Sequence, residues 1–178
     1  KDQIFKDPQK LHFLNLPRYI EFFDKKSQTP FTPALPLYFA LDKAFDLMLD
    51  EGMDDRYVRH EYCGKAFYDA FEAMGLKLFG VQEVRSNTVI SVAYPDGIKD
   101  KDFRSSLETQ YGVVIAGGFG DYAGKLFRIG SLGIVNQYHV LTTISAIGNN
   151  LRRLGFNANL DFALDAAMKN LKNIRSKL

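Results

Sequence analysis

The residues best suited to chemistry lie in the run Gly117-Gly118-Phe119-Gly120-Asp121-Tyr122-Ala123-Gly124-Lys125-Leu126-Phe127-Arg128-Ile129-Gly130-Ser131-Leu132-Gly133. Six glycines there surround one arginine, Arg128, inside the apolar stretch Leu126-Phe127-Arg128-Ile129, which reads as a strand. A charge in a buried strand is costly unless something pairs with it. Arginine grips a planar carboxylate through two parallel hydrogen bonds. The pattern therefore points to an anion site for a small carboxylate or a phosphate. Two other readings stay open on the residues alone: a structural ion pair, or a side chain pointing outward from an edge strand.

A second candidate is Thr29-Pro30-Phe31-Thr32, two hydroxyls and some free backbone N–H groups on a rigid segment. Rigidity removes part of the ordering cost of holding a phosphate. An ordinary proline-rich turn is the alternative. The glycine run itself is not a nucleotide loop. Counting five back from Gly124 gives Phe119, and Leu126 follows Lys125, so the phosphate-loop pattern fails twice. A strand rather than a helix follows the glycines, so the dinucleotide pattern fails too.

Nothing else in the chain offers catalytic machinery. His12, His60 and His139 are far apart, with no metal-ligand spacing. Cys63 is the single cysteine, which excludes an intramolecular disulfide and points to a reducing compartment. It falls in a helical pattern and reads as a small core residue. No nucleophile–base pair, carboxylate pair or desolvated lysine stands out.

The elements that must position these residues follow from the hydrophobic pattern. The chain has 178 residues, 46% hydrophobic and 25% charged, as expected of a globular protein. Fifteen Phe, nine Tyr and no Trp predict a phenylalanine-rich core. A net charge of +2 with scattered lysines does not indicate nucleic acid, and no apolar run is long enough to span a membrane. Residues 1–33 read as extended and irregular, with a short helix at Leu16–Lys26. Pro30, Pro33 and Pro36 make a rigid connector. A helix over Leu35–Glu51, apolar on much more than one face and stopped by Gly52, must pack against another domain or subunit.

A second long helix, Asp54–Met74, is expected to be capped by Asp54 or Asp55. Val58, Tyr62, Cys63, Ala66, Phe67, Ala70 and Met74 form its core stripe, and Arg56, Arg59, Lys65, Asp69 and Glu72 its solvated face. Strands follow at Leu76–Phe79 and Thr88–Ala93, then a helix at Lys99–Gln110 with Phe103 and Leu107 inward. Strands at Val113–Ala116 and Lys125–Ile129 come next, then helices at Asn136–Leu154 and Leu160–Ser176. The order predicts an α+β layer, a small, mainly antiparallel sheet covered by helices on one side.

Several of these stretches, in this order, resemble class V aminotransferases. They are Gln28-Thr29-Pro30-Phe31-Thr32-Pro33-Ala34, Asp50-Glu51-Gly52, Arg56–His60, Glu72-Ala73-Met74-Gly75-Leu76-Lys77-Leu78-Phe79 and Arg85-Ser86-Asn87-Thr88-Val89. Tyr111–Gly118 and Gly124-Lys125-Leu126-Phe127-Arg128-Ile129-Gly130 complete the set. The likeness runs from about Leu16 to Lys172 and is strongest to the alanine–glyoxylate, serine–glyoxylate and serine–pyruvate group.

The resemblance implies an aspartate-aminotransferase-like fold, a pyridoxal phosphate cofactor and a homodimer. By it, residues 1–52 are the end of the large domain, the connector and the dimer-interface helix, and residues 53–178 the C-terminal small domain. The lysine that binds the cofactor covalently is then expected upstream of Lys1, which leaves residues 1–178 inactive alone. A start at Lys rather than Met agrees with a fragment or a processed form. Arg128 matches the arginine that clamps the substrate carboxylate. Gln28, Thr29 and Thr32 fall on the segment that reaches the cofactor phosphate of the neighbouring subunit, with Thr29 ranked first. Ser131-Leu132 stands where the family often has His-Met, which bears on the substrate subclass. A desulfurase would need a reactive cysteine on a mobile loop, and Cys63 lies in a helix. A non-catalytic ligand-binding or dimerisation module is the alternative of another class. The expected compartment is the cytoplasm, or the peroxisome if Ser176-Lys177-Leu178 is a true C-terminus.

Overall fold

The computed structural model describes residues 12–174, so the expectations for residues 1–11 and for Ser176-Lys177-Leu178 lie outside the described residues, while the last helix, expected to reach Ser176, ends at Leu171 in a turn over Lys172 and Asn173. The described residues form two compact units that part between Leu47 and Met48.

The first unit begins with helix α1, Leu16–Lys26, where the Asn15 carboxamide accepts from the Arg18 N–H at 3.1 Å. Ser27 ends it in the left-handed conformation, φ 50°. The connector is then anchored by Phe31. Its ring sits among His12, Phe13 and Tyr19, with centroids 5.0, 5.3 and 6.0 Å away, and the Arg18 guanidinium lies 4.9 Å over it. Helix α2, Leu35–Glu51, follows with Pro36 in its first turn; no residue of it is buried as a whole, although the side chain of its last residue, Glu51, is covered.

The second unit carries the core. Helix α3 spans Met53–Ala73 and packs Cys63, Ala66, Phe67, Ala70 and Phe71 inward. Its N-cap is Gly52, with no side-chain cap, rather than Asp54 or Asp55. Those aspartates sit inside the first turn, where they complement the helix dipole. Val58, expected in the core stripe, is 38% exposed, because in its turn of the helix it is the neighbouring Arg59 that faces inward.

Three strands make an antiparallel sheet in the order β1 (Val89–Ala93), β3 (Leu126–Gly130), β2 (Ala116–Gly117). The predicted strand at Leu76–Phe79 reduces to one bridge, Leu78 to Val92, and of the one expected at Val113–Ala116 only Ala116 is in a strand, the two-residue β2. Ile90 pairs with Ile129 and Val92 with Phe127, so these four share one face of the sheet, and all are buried in the core. Phe71 and Phe103 meet Phe127 at 6.2 and 5.2 Å, the phenylalanine-rich core expected from composition.

Helix α4, Asp100–Tyr111, buries Phe103 and Leu107 as expected. Helix α5, Gln137–Arg153, starts at a reciprocal cap in which the Asn136 carboxamide accepts from the His139 N–H and His139 Nδ1 accepts from the Asn136 N–H, each at 3.3 Å. Buried Asn150 ties α5 to α4, donating to the Phe103 carbonyl at 2.9 Å and accepting from the Ser106 hydroxyl at 2.8 Å. Helix α6, Leu160–Leu171, closes the layer against α3 and α5.

Candidate functional site

Arg128 occupies the middle of β3, the central strand, so it does not point from a sheet edge. Side chains alternate along a strand. Because Phe127 and Ile129 face the core, Arg128 must face the other side. Its cross-strand neighbours there are Ser91 on β1 and Ala116 on β2. Both are small, and they leave the guanidinium half-buried rather than covered.

The glycine loop between β2 and β3 orients that guanidinium. Arg128 Nε donates to the Gly117 carbonyl at 2.9 Å. The Phe119 ring lies over the guanidinium, 4.9 Å from Cζ to its centroid. Gly118 makes the loop possible, since a Cβ there would stand 2.1 Å from the Tyr122 carbonyl oxygen. Behind the loop, Asp100 accepts from Arg104 through both oxygens, at 3.0 and 2.7 Å, and from the Tyr94 hydroxyl at 2.9 Å. Those bonds, Arg104's first, hold the Asp100 carboxyl below its usual range, while burial and then the bond to Asp100 push the Tyr94 phenol up. A Cβ on Gly117 would come within 2.9 Å of Asp100 Oδ1, so this cluster backs directly onto the residue that holds Arg128.

Among the described residues, no carboxylate forms an ion pair with Arg128. Its two η nitrogens have no hydrogen-bond partner there either. A half-buried guanidinium with a free in-plane edge is suited to accept a carboxylate end-on.

Arg59 departs from the sequence reading. It is fully buried, not part of a solvated face. Its Nε and Nη2 both donate to Glu51, the latter at 2.7 Å, and Nη1 donates to the Val135 carbonyl at 2.5 Å. Nη2 also reaches the Gly133 carbonyl at 3.1 Å. The bond from Arg59 keeps the Glu51 carboxyl below its ordinary value. Arg59 thus bolts the loop after β3 to the start of α3. The signal was present in the chain: Arg59 stands four residues before Cys63, on the buried stripe. Cys63 itself is buried, and burial pushes its thiol up to about 11, as for an inert core residue. Ser131, directly after β3, is buried with no partner for its hydroxyl among the described residues, and Leu132 beside it is exposed.

In the first unit, Gln28, Thr29 and Thr32 are all exposed along a shallow groove lined by residues 28–33. The Thr29 hydroxyl donates to the Phe31 carbonyl at 2.7 Å, which commits its proton. The Thr32 hydroxyl has no partner among the described residues.

The small antiparallel sheet with its helical cover has the α+β architecture of the aspartate-aminotransferase-like fold. No family model matches the chain. An uncharacterized aminotransferase of Methanocaldococcus jannaschii is 44% identical over 144 residues, 81% of this chain and 37% of that protein. The pyridoxamine–pyruvate transaminase of Mesorhizobium japonicum is 33% identical over 141 residues, 78% of this chain and 36% of the relative. The crystal structure of ureidoglycine–glyoxylate aminotransferase from Bacillus subtilis superposes with a TM-score of 0.78 at 30% identity, covering 89% of this chain and 41% of that one. The homologues are class V aminotransferases, and the chain corresponds to their C-terminal part. It spans little more than a third of the length of the relatives it matches. No helix among the described residues is long and apolar enough to cross a membrane.

Proposed function

We propose that this chain supplies the substrate-carboxylate clamp of a pyridoxal phosphate-dependent aminotransferase. The reaction moves the amino group of a small amino acid, alanine or serine in kind, to a 2-oxo acid such as glyoxylate or pyruvate. The observation that carries this reading is the guanidinium of Arg128, held at Nε by Gly117 and left open at both η nitrogens. Amino acid and 2-oxo acid share one feature, an α-carboxylate, so one clamp serves both halves of the exchange.

Pyridoxal phosphate, when bound, provides the electron sink that lets the Cα–H bond of an amino acid break and the amine change hands. The residues of this chain orient and bind. Arg128 fixes the carboxylate, which sets the direction of the Cα–H bond. The connector fits a phosphate: an exposed carboxamide at Gln28 and a free hydroxyl at Thr32 stand on a segment made rigid by prolines and by the Phe31 aromatic cluster. Thr29, its proton committed to Phe31, can serve only as a contact that rearranges or accepts. Thr32 is therefore the better phosphate donor in this conformation.

The homodimer belongs to the same proposal. Helix α2 exposes Leu37, Tyr38, Phe39 and Leu49, each at least 61%, which is more apolar surface than a free helix retains in water. Residues 1–52 would then be the end of the large domain with its connector and interface helix, and residues 53–178 the small domain. The proposed compartment is the cytoplasm, on the ground of the single cysteine, with the peroxisome as the alternative.

The test is the visible absorbance of the cofactor in the full-length protein, recorded before and after L-alanine or L-serine, with Arg128→Ala alongside. Bleaching in the parent but not in the variant is expected. A full-length protein that takes up no pyridoxal phosphate would turn the assignment to a non-catalytic module.

A further inference from the structure

Phe119 is 72% exposed at the tip of the glycine loop, so burial of apolar surface does not explain its place. What it touches does. Its ring covers one face of the Arg128 guanidinium at 4.9 Å. The loop is constructed to keep it there. The Gly118 N–H donates to the Leu126 carbonyl at 2.8 Å, and the Tyr122 N–H donates to the Phe119 carbonyl at 3.1 Å, so residue 119 is pinned on both sides. The Tyr122 ring packs edge-on against Phe79 at 4.8 Å, which steadies the far limb of the turn.

The two contacts made by this loop are geometrically complementary. A ring over a guanidinium uses its π face and leaves the in-plane N–H groups free. The bond to Gly117 uses Nε alone. One nitrogen and one face are taken, and the edge bearing both η nitrogens stays open.

We propose that Phe119 is a positioning residue for carboxylate recognition. It fixes the plane of the Arg128 guanidinium and keeps water from one face, so that an incoming carboxylate meets both η nitrogens in that plane. This rests on the reading of Arg128 as the clamp. It carries a consequence that a role in selecting substrate side chains does not. Donor and acceptor present the same carboxylate, so Phe119 acts on both equally.

The experiment uses the full-length, cofactor-loaded protein with Phe119→Ala, Phe119→Leu, Phe119→Tyr and Arg128→Ala. Phe119→Ala and Phe119→Leu are expected to raise KM for the amino acid and for the 2-oxo acid together, by about three- to fivefold, with kcat within about twofold. Phe119→Tyr is expected to restore both KM values. A readout without turnover is the rate at which phenylglyoxal modifies Arg128, followed by peptide mass spectrometry with and without pyruvate. Phe119→Ala is expected to speed the modification and weaken the protection by pyruvate. KM changes that differ between amino acids of different side chain would overturn the proposal, as would unchanged KM and labelling. Loss of binding in Arg128→Ala with none in Phe119→Ala overturns the role of Phe119 alone. Unchanged binding in Arg128→Ala removes the clamp itself.

Discussion

Replacing Arg59 by methionine should unlock the start of α3 and the loop that follows β3, and the cost can be worked from the structure. The Arg59 side chain is 0% exposed and that of Glu51 4%. Removing one partner of a buried pair costs about 3–5 kcal/mol, because the other charge stays buried without compensation. Two features set the value here. Arg56, 3.1 Å from Glu51 and partly exposed, still neutralises some of that charge. Against this, the Val135 carbonyl loses its donor in a buried position. The expected loss is about 3 kcal/mol, the low end of the range. The chain has no Trp, so tryptophan emission cannot follow this region, and amide hydrogen exchange in the full-length protein is the suitable assay. Protection of the Ala66–Phe71 amides should fall about a hundredfold at pH 7. The pH dependence has a definite sign. The folded pKa of Glu51 is lowered below its ordinary 4.5, so the pair contributes fully above that value and is lost as pH falls through the lowered one. The gap between parent and Arg59→Met should be flat above 4.5 and close only below it. A fall in protection under about threefold would refute the reasoning, since it equals the worth of an exposed ion pair.

Gly118→Ala should open the glycine loop, since its Cβ would overlap the Tyr122 carbonyl, and raise KM for donor and acceptor by tenfold or more in steady-state assays. Cys63, with its thiol pushed up to about 11, should resist alkylation by iodoacetamide at pH 8 in the native protein and react fully in urea, as read by mass spectrometry. If α2 is the dimer face proposed above, Phe39→Glu combined with Leu49→Glu will shift the full-length protein from dimer to monomer in sedimentation velocity.

How far the chain reveals its fold depends on whether the deciding interaction is local. The bounds of α2 were legible, because Pro36 and Gly52 act on their own neighbours. The strand expected at Leu76–Phe79 was not. Its length depends on how far β1 runs beside it, and the chain turns away at Gly80, φ 84°. Arg59 was misread because its partner Glu51 sits across a helix boundary and its carbonyl acceptors lie more than seventy residues away. Arg128 was legible as a chemical type, from a charge in an apolar strand. Its openness was not, because that depends on register, which sets Ser91 and Ala116 rather than large side chains beside it.

The second unit treats its two arginines Arg59 and Arg128 differently, and the difference supports the reading of Arg128 proposed above. Arg59 shows what the fold does with a structural guanidinium: each of its three nitrogens donates, to a carboxylate held close by and to two backbone carbonyls. Arg128 receives one carbonyl, at Nε, and an aromatic ring that satisfies no N–H. A fold able to saturate one arginine leaves the other with its most directional donors free, half-buried on the central strand. The glycines of its loop and the small side chains next to it maintain that opening. Such an arrangement gains nothing for stability, because the desolvation of the guanidinium is only partly offset within the chain. It becomes favourable when an anion of matching shape completes it, which is the argument for a carboxylate ligand.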